Sequence, residues 1–94
     1  MATEVYSVKT ITLLNNISFD ASPLKIKYLR SFMNKFVLMD NVKNDLEAIE
    51  VLSECTKIAM QQYMPHLSET IEDFIDLDIL YEIIGQAADR KSVV

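Results

Sequence analysis

The sequence has little glycine, proline, cysteine or histidine, and it has no tryptophan. One Gly and two Pro among 94 residues exclude long flexible linkers and glycine-rich loops that cradle phosphate. The single cysteine, Cys55, cannot form an internal disulfide, which suits a reducing cytosol. No apolar run approaches the roughly 20 residues that span a bilayer, so we expect no membrane partner. The first four residues, Met-Ala-Thr-Glu, lack the basic start of a secretory signal.

Charge of one sign dominates the second half of the chain. The net charge is −5, but residues 24–43 carry five bases and one acid, whereas residues 44–94 carry eleven acids and three bases. An acidic half repels phosphate backbones, so we expect no nucleic-acid partner. Lys25, Lys27 and Arg30 form a candidate basic face that is able to touch a phosphate or an acidic partner. The favoured interpretation is a solvated helix face that pairs internally with the acidic half.

The N-terminal segment predicts a β-hairpin over residues 5–19. Residues 5–14 are rich in β-branched and aromatic side chains and partly alternate in polarity. Asn15 and Asn16 follow, and asparagine tolerates the left-handed backbone of a tight turn. Residues 17–19 then return as a short strand. Two strands alone are marginally stable in water, so the hairpin must lie on helices or join a neighbouring subunit's sheet.

Capping signals predict three helices, over residues 22–39, 44–63 and 76–88. Ser22 as N-cap with Pro23 behind it starts the first helix. Asn44 and Glu47 form a variant capping box for the second, and Asp76 caps the third. Residues 68–75 predict one or two further helical turns. The fold class is therefore mainly α: an N-terminal hairpin and about three amphipathic helices in a single domain over 1–94, with the helical part at 22–91 and a frayed tail at 92–94.

Each predicted helix carries an apolar stripe at helical spacing, and we expect the three stripes to form the core. The first contains Ile26, Leu29, Met33, Phe36 and Val37, widened by Phe32. The second contains Leu46, Ile49, Leu52, Cys55, Ala59, Met60 and Tyr63. The third contains Leu77, Leu80, Tyr81, Ile84, Ala87 and Ala88.

The residue set predicts no catalytic, cofactor-binding or metal site. His66 is the only histidine, and Cys55 lies on an apolar stripe, where a free cysteine is usually a small buried hydrophobe. One Cys and one His are too few soft ligands for structural zinc. The acidic residues lack the spacing and central glycine of an EF-hand. Gly85, alone in a helical pattern, predicts close helix packing.

The chain has more apolar side chains than a domain of this size readily hides. Flexible methionines suit adaptable contact surfaces, and Met39 and Met64 lie at predicted helix ends. Together with Phe32 and Phe36 they are the candidate partner-contact residues. We expect a protein-binding module that self-associates through the hairpin or through the end of the first stripe.

The order of segments resembles the small tail assembly chaperones of tailed bacteriophages. The resemblance rests on a strand pair followed by Ser-Pro-Leu-Lys-Ile-Lys-Tyr-Leu-Arg-Ser-Phe-Met-Asn-Lys-Phe at 22–36. Glu-Cys-Thr-Lys-Ile-Ala-Met-Gln-Gln-Tyr then occupies 54–63, and Glu-Asp-Phe-Ile-Asp-Leu-Asp-Ile-Leu-Tyr-Glu-Ile-Ile-Gly-Gln-Ala-Ala occupies 72–88. It covers residues 7–88 and includes no catalytic signature.

The resemblance implies a non-enzymatic, often self-associating protein in the host cell cytoplasm. Such chaperones bind the long helical tape measure protein and help recruit tail tube subunits around it. Two alternatives remain open at the sequence level. One is a small structural subunit of the tail, neck or baseplate, which would stay in the virion. The other is a host-directed binding protein.

Overall fold

A computed structural model describes residues 8–88 of the chain. An antiparallel two-stranded hairpin is formed by strand β1 (Lys9–Thr12) and strand β2 (Ser18–Ala21). Three α-helices follow: α1 (Ile26–Phe36), α2 (Asp45–Tyr63) and α3 (Leu77–Ala87). Short 3₁₀ segments lie between them, at Val37–Asn41, Pro65–Leu67 and Ile71–Phe74. The predicted fold class, a hairpin leading into three helices, is confirmed.

The hairpin lies against the helices with one apolar face. Ile11 pairs with Phe19 in register, and both side chains are buried. On the outer face, the Thr10 hydroxyl donates to the Asp20 carboxylate at 2.8 Å. The turn follows the prediction, since Asn16 adopts a left-handed φ of 68°. The second strand runs to Ala21, beyond the predicted end at residue 19, because the chain continues pairing with Thr10 and Lys9. Residues 5–7 of the predicted hairpin lie outside the described residues, as do 89–91 of the helical part and the tail at 92–94.

Helix α1 begins at Ile26, later than predicted. Ser22 is not its N-cap; Lys25 holds that position without a side-chain cap. The reason is that α2 satisfies the backbone of the segment before α1. The Tyr63 hydroxyl donates to the Ser22 carbonyl, and the Lys25 N–H donates to Gln62 Oε1 at 2.8 Å. Ser22 therefore lies outside regular secondary structure, in keeping with the low tendency of a residue before proline to be helical.

The caps predicted for α2 and α3 are confirmed. Asn44 Oδ1 accepts from the Glu47 N–H at 2.9 Å, and Asp76 Oδ1 accepts from the Ile79 N–H at 2.9 Å. The Glu47 carboxylate reaches back to the Lys43 N–H at 2.9 Å, which completes a capping box shifted by one residue. Each cap satisfies a backbone donor that the first helical turn leaves free.

The core forms where α1, α3 and the hairpin meet the second half of α2. Small side chains at Cys55 and Ala59 let α1 approach closely, and the Cys55 thiol contacts the Phe32 carbonyl at 3.8 Å. Phe32 is fully buried, although the sequence placed it only at the edge of a stripe. The other side chains with less than 2 % exposure include Ile11, Met60, Ile71, Ile83 and Thr56.

Several predicted stripe residues are exposed, and these predictions are wrong for the isolated chain. Ile26 and Val37 on the first stripe face solvent. So do four residues on the other two stripes, namely Leu46, Ile49, Leu77 and Tyr81. Gly85 is also exposed, and a Cβ built on it would meet nothing within 4 Å. The predicted close packing at Gly85 is therefore wrong.

A candidate protein-binding groove between α2 and α3

An open groove lies between the first halves of α2 and α3. Two adjoining cavities, of about 470 Å³ and 240 Å³, share Ile49 and Leu77 as walls. The larger is about three times the 150 Å³ of a cavity that holds benzene, so it has room for several aliphatic side chains. We call this feature the α2–α3 groove, and its lining consists of Asp45, Ala48, Ile49, Glu50, Leu52, Ser53, Glu72, Ile75, Asp76, Leu77, Leu80 and Tyr81.

Large apolar side chains line this groove without being covered. Ile49 is 45 % exposed, Leu77 48 % and Tyr81 54 %, and Leu46, one turn before Ile49, is 67 % exposed. Small-molecule pockets bury 70–90 % or more of a ligand inside enclosing walls. Ile49 and Leu77 are too exposed to enclose a small molecule in this way. The groove is therefore an open apolar surface and not an enclosed small-molecule pocket.

Capping is what positions the groove. Asn44 caps α2 and Asp76 caps α3, and the helix starts that follow these caps contribute Ile49 and Leu77 to both cavities. The 3₁₀ segment Ile71–Phe74 closes one side, anchored by Ile71, which is fully buried. Inside the groove the Ser53 hydroxyl donates to the Glu72 carboxylate. This hydrogen bond connects α2 to the 3₁₀ segment and fixes the groove wall.

The sequence missed the groove as a site. Its apolar residues fit the stripes on α2 and α3, so they were expected in the core. The only sequence signal for the groove is that the apolar stripes of α2 and α3 extend beyond the part of each helix that packs in the core. Ile83 completes the buried face of α3 in their place, although it was not in the predicted stripe.

Of the four predicted partner-contact residues, one lies in the core and three pack against it. Phe32 is fully buried and has no surface to offer a partner, so its assignment to an exposed surface is wrong. Phe36 stacks on Phe32 with ring centroids 5.8 Å apart and is half-buried. Met39 and Met64 are half-buried and pack against the core, Met39 in the 3₁₀ segment after α1 and Met64 at the end of α2. They retain part of their surface, and none of the four lines the α2–α3 groove.

The predicted basic face is solvated. Lys25, Lys27 and Arg30 are exposed, and the Lys27 ammonium lies 5.4 Å from the centroid of the Tyr28 ring. Within residues 8–88 the ion pairs are Lys9–Glu82 and Lys57–Glu54, so the expected pairing of the basic face with the acidic half is wrong there.

Cys55 lies in the core, whereas His66 lies at the surface. Cys55 is fully buried, and this burial raises the pKa of its thiol to about 11. A thiolate nucleophile needs the opposite, an exposed setting that lowers the pKa. His66 lies exposed in the 3₁₀ segment Pro65–Leu67. Cys55 therefore packs as a small apolar side chain, as the sequence predicted.

Among residues 8–88, no helix is both long enough and apolar enough to cross a membrane. The same residues contain no group of three or more His, Cys, Asp or Glu side chains arranged to hold a metal ion. Comparisons with protein-family models, with curated proteins and with solved structures find no match to this chain.

Proposed function

We propose that this protein is a non-enzymatic binding module that takes an apolar helical segment of a partner protein into the α2–α3 groove. The observation that supports it is the exposure of Ile49 and Leu77, which line both a cavity of about 470 Å³ and its smaller neighbour. Helix-in-groove recognition uses such a surface, into which a partner helix inserts apolar side chains from one face.

The biological role that we propose is that of a phage tail assembly chaperone. In this role the partner is the helical tape measure protein, the chaperone helps recruit tail tube subunits, and it acts in the host cytoplasm as a self-associating protein. The support is the resemblance of residues 7–88 to that family, together with a groove of the kind that covers an aggregation-prone helix.

The first prediction tests the groove. Ile49→Asp should weaken binding to tape measure fragments by about 10- to 100-fold, because burying an isoleucine contributes about 1.5–3 kcal/mol. The matched control is Ile26→Asp on α1, since Ile26 is also an exposed helical isoleucine and lies outside the groove. Isothermal titration calorimetry measures both, and a melting curve confirms that each variant is folded. Equal affinities for the two variants would contradict the proposal.

A structural subunit of the phage particle is the alternative, because it would use the same kind of apolar surface. Mass spectrometry of purified particles separates the two roles. A stoichiometric amount in mature particles supports the structural subunit, and absence supports the chaperone. A host-directed binding protein would instead be recovered on a bacterial protein when tape measure fragments fail to bind.

A further inference from the structure

All of the charged side chains that line the α2–α3 groove are acidic. Four carboxylates line its two cavities, from Asp45, Glu50, Glu72 and Asp76, and no Lys or Arg is among the described lining residues. From this we propose that the occupant is a basic amphipathic helix, with apolar side chains on one face and Lys or Arg beside them. The inference rests on the proposed function and specifies the chemistry of the partner.

The dipoles of α2 and α3 do not cancel the charge of the four carboxylates, which we call the rim of the groove. The N-termini of α2 and α3 both lie at the groove, and each contributes the equivalent of about half a positive charge. Together they offset about one of the four carboxylates. The rim therefore remains negative by about three charges, which favours a cationic partner.

Two of the four carboxylates are free to contact a partner. Glu72 accepts from the Ser53 hydroxyl, and Asp76 accepts from the Ile79 N–H. Asp45 and Glu50 make no hydrogen bond or ion pair with another described residue. They lie on α2 one beside each cavity, Asp45 at the smaller and Glu50 at the larger. Because Glu50 lies beside the larger cavity, we expect it to be the residue that favours Lys or Arg beside the apolar face of the partner helix.

A second copy of the chain fits the groove less well than a basic helix of another protein does. Pairing of two grooves would bring together the same four carboxylates from each copy, and like charges across an interface are unfavourable. The basic helix α1 of a second copy has the right charge, but its large apolar side chains between Ile26 and Val37 are buried or half-buried against its own core. A different protein that combines charge with an apolar row is the better occupant.

The experiment compares two designed helical peptides that share one leucine face and differ in their flanks, one with Lys and the other with Glu. The Lys peptide should bind the full chain about tenfold more tightly near 0.05 M salt, and the difference should shrink to about twofold near 1 M. Glu50→Gln should reduce the preference. Glu54→Gln, one turn further along α2 and outside the groove lining, should leave it unchanged.

The outcomes separate the two proposals. Equal binding of both peptides, lost in Ile49→Asp, would overturn the charge inference and support the groove. Binding of neither peptide, or binding that survives Ile49→Asp, would overturn both. Tighter binding of the Glu peptide would refute the basic partner outright. A preference for the Lys peptide that Glu54→Gln removes as strongly as Glu50→Gln would show that general surface charge, and not the groove, selects the partner.

Discussion

At the scale of single residues, burial determines how the Cys55 thiol titrates. The folded protein holds the thiol pKa at about 11, against an ordinary value of 9.0. The unfolded chain therefore loses this proton first as pH rises, and the free energy of unfolding falls between pH 9 and 11. Below pH 9 both states keep the proton, and the stability is fully present.

We expect Cys55→Ala to flatten this alkaline loss of stability by about 2 kcal/mol across the window, since one pKa unit corresponds to about 1.4 kcal/mol. Urea unfolding at a series of pH values from 7 to 11 measures it. Burial also raises the pKa of Tyr63 above its usual range, but Tyr63 is present in both proteins, so the difference between them reports Cys55. Parallel stability curves for parent and variant would contradict the burial of the thiol.

Gly85 is the residue where a substitution should stabilise the fold. It lies inside α3, its φ is not positive, and a Cβ would meet nothing within 4 Å. Gly85→Ala should therefore raise the free energy of unfolding by about 1 kcal/mol, and the midpoint temperature by about 4–8 °C. Gly85→Ser should gain about half as much, because serine has intermediate helix propensity. A lower melting temperature for Gly85→Ala would contradict this prediction and support the close helix packing expected from the sequence.

At the scale of elements, α1 and α2 differ in the groups that satisfy the backbone at their N-termini. Asn44→Ala should cost about 1 kcal/mol, because it removes the acceptor for the Glu47 N–H at the start of α2. Ser22→Ala is the matched control and should change stability by less than about 0.5 kcal/mol, since α1 is not capped by Ser22. Chemical denaturation of both variants decides it. A comparable loss in Ser22→Ala would support the cap that the sequence predicted.

The caps at Asn44 and Asp76 could be predicted because a cap is local: the side chain and the N–H that it satisfies lie three residues apart. The start of α1 could not, since Gln62 and Tyr63 satisfy the preceding backbone from 37 and 41 residues away. The groove was missed for a related reason. Periodicity shows that Ile49 lies on the apolar face of α2, but it does not show whether this chain or a partner covers that face.

At the scale of the whole molecule, two exposed apolar surfaces differ in their charged surroundings. The α2–α3 groove is ringed by carboxylates, so binding of a basic helix there should weaken with salt. The 3₁₀ segment after α1 presents Val37 and Leu38 beside half-buried Phe36 and Met39, and Asp40 is its only charged residue. Salt should therefore act on the two surfaces in opposite directions.

Self-association through that 3₁₀ segment is the last prediction. Two copies that each carry a net charge of −5 repel one another, so added salt should tighten the association by screening the repulsion. Leu38→Lys should weaken it about tenfold without changing the melting temperature, because Leu38 is 45 % exposed and charge there opposes apolar burial. Leu14→Lys, at a leucine in the hairpin turn that is 56 % exposed, should have no effect. Sedimentation equilibrium measures both. Loss of association only in Leu14→Lys would move the contact to the hairpin, and a monomer at all concentrations would remove self-association altogether.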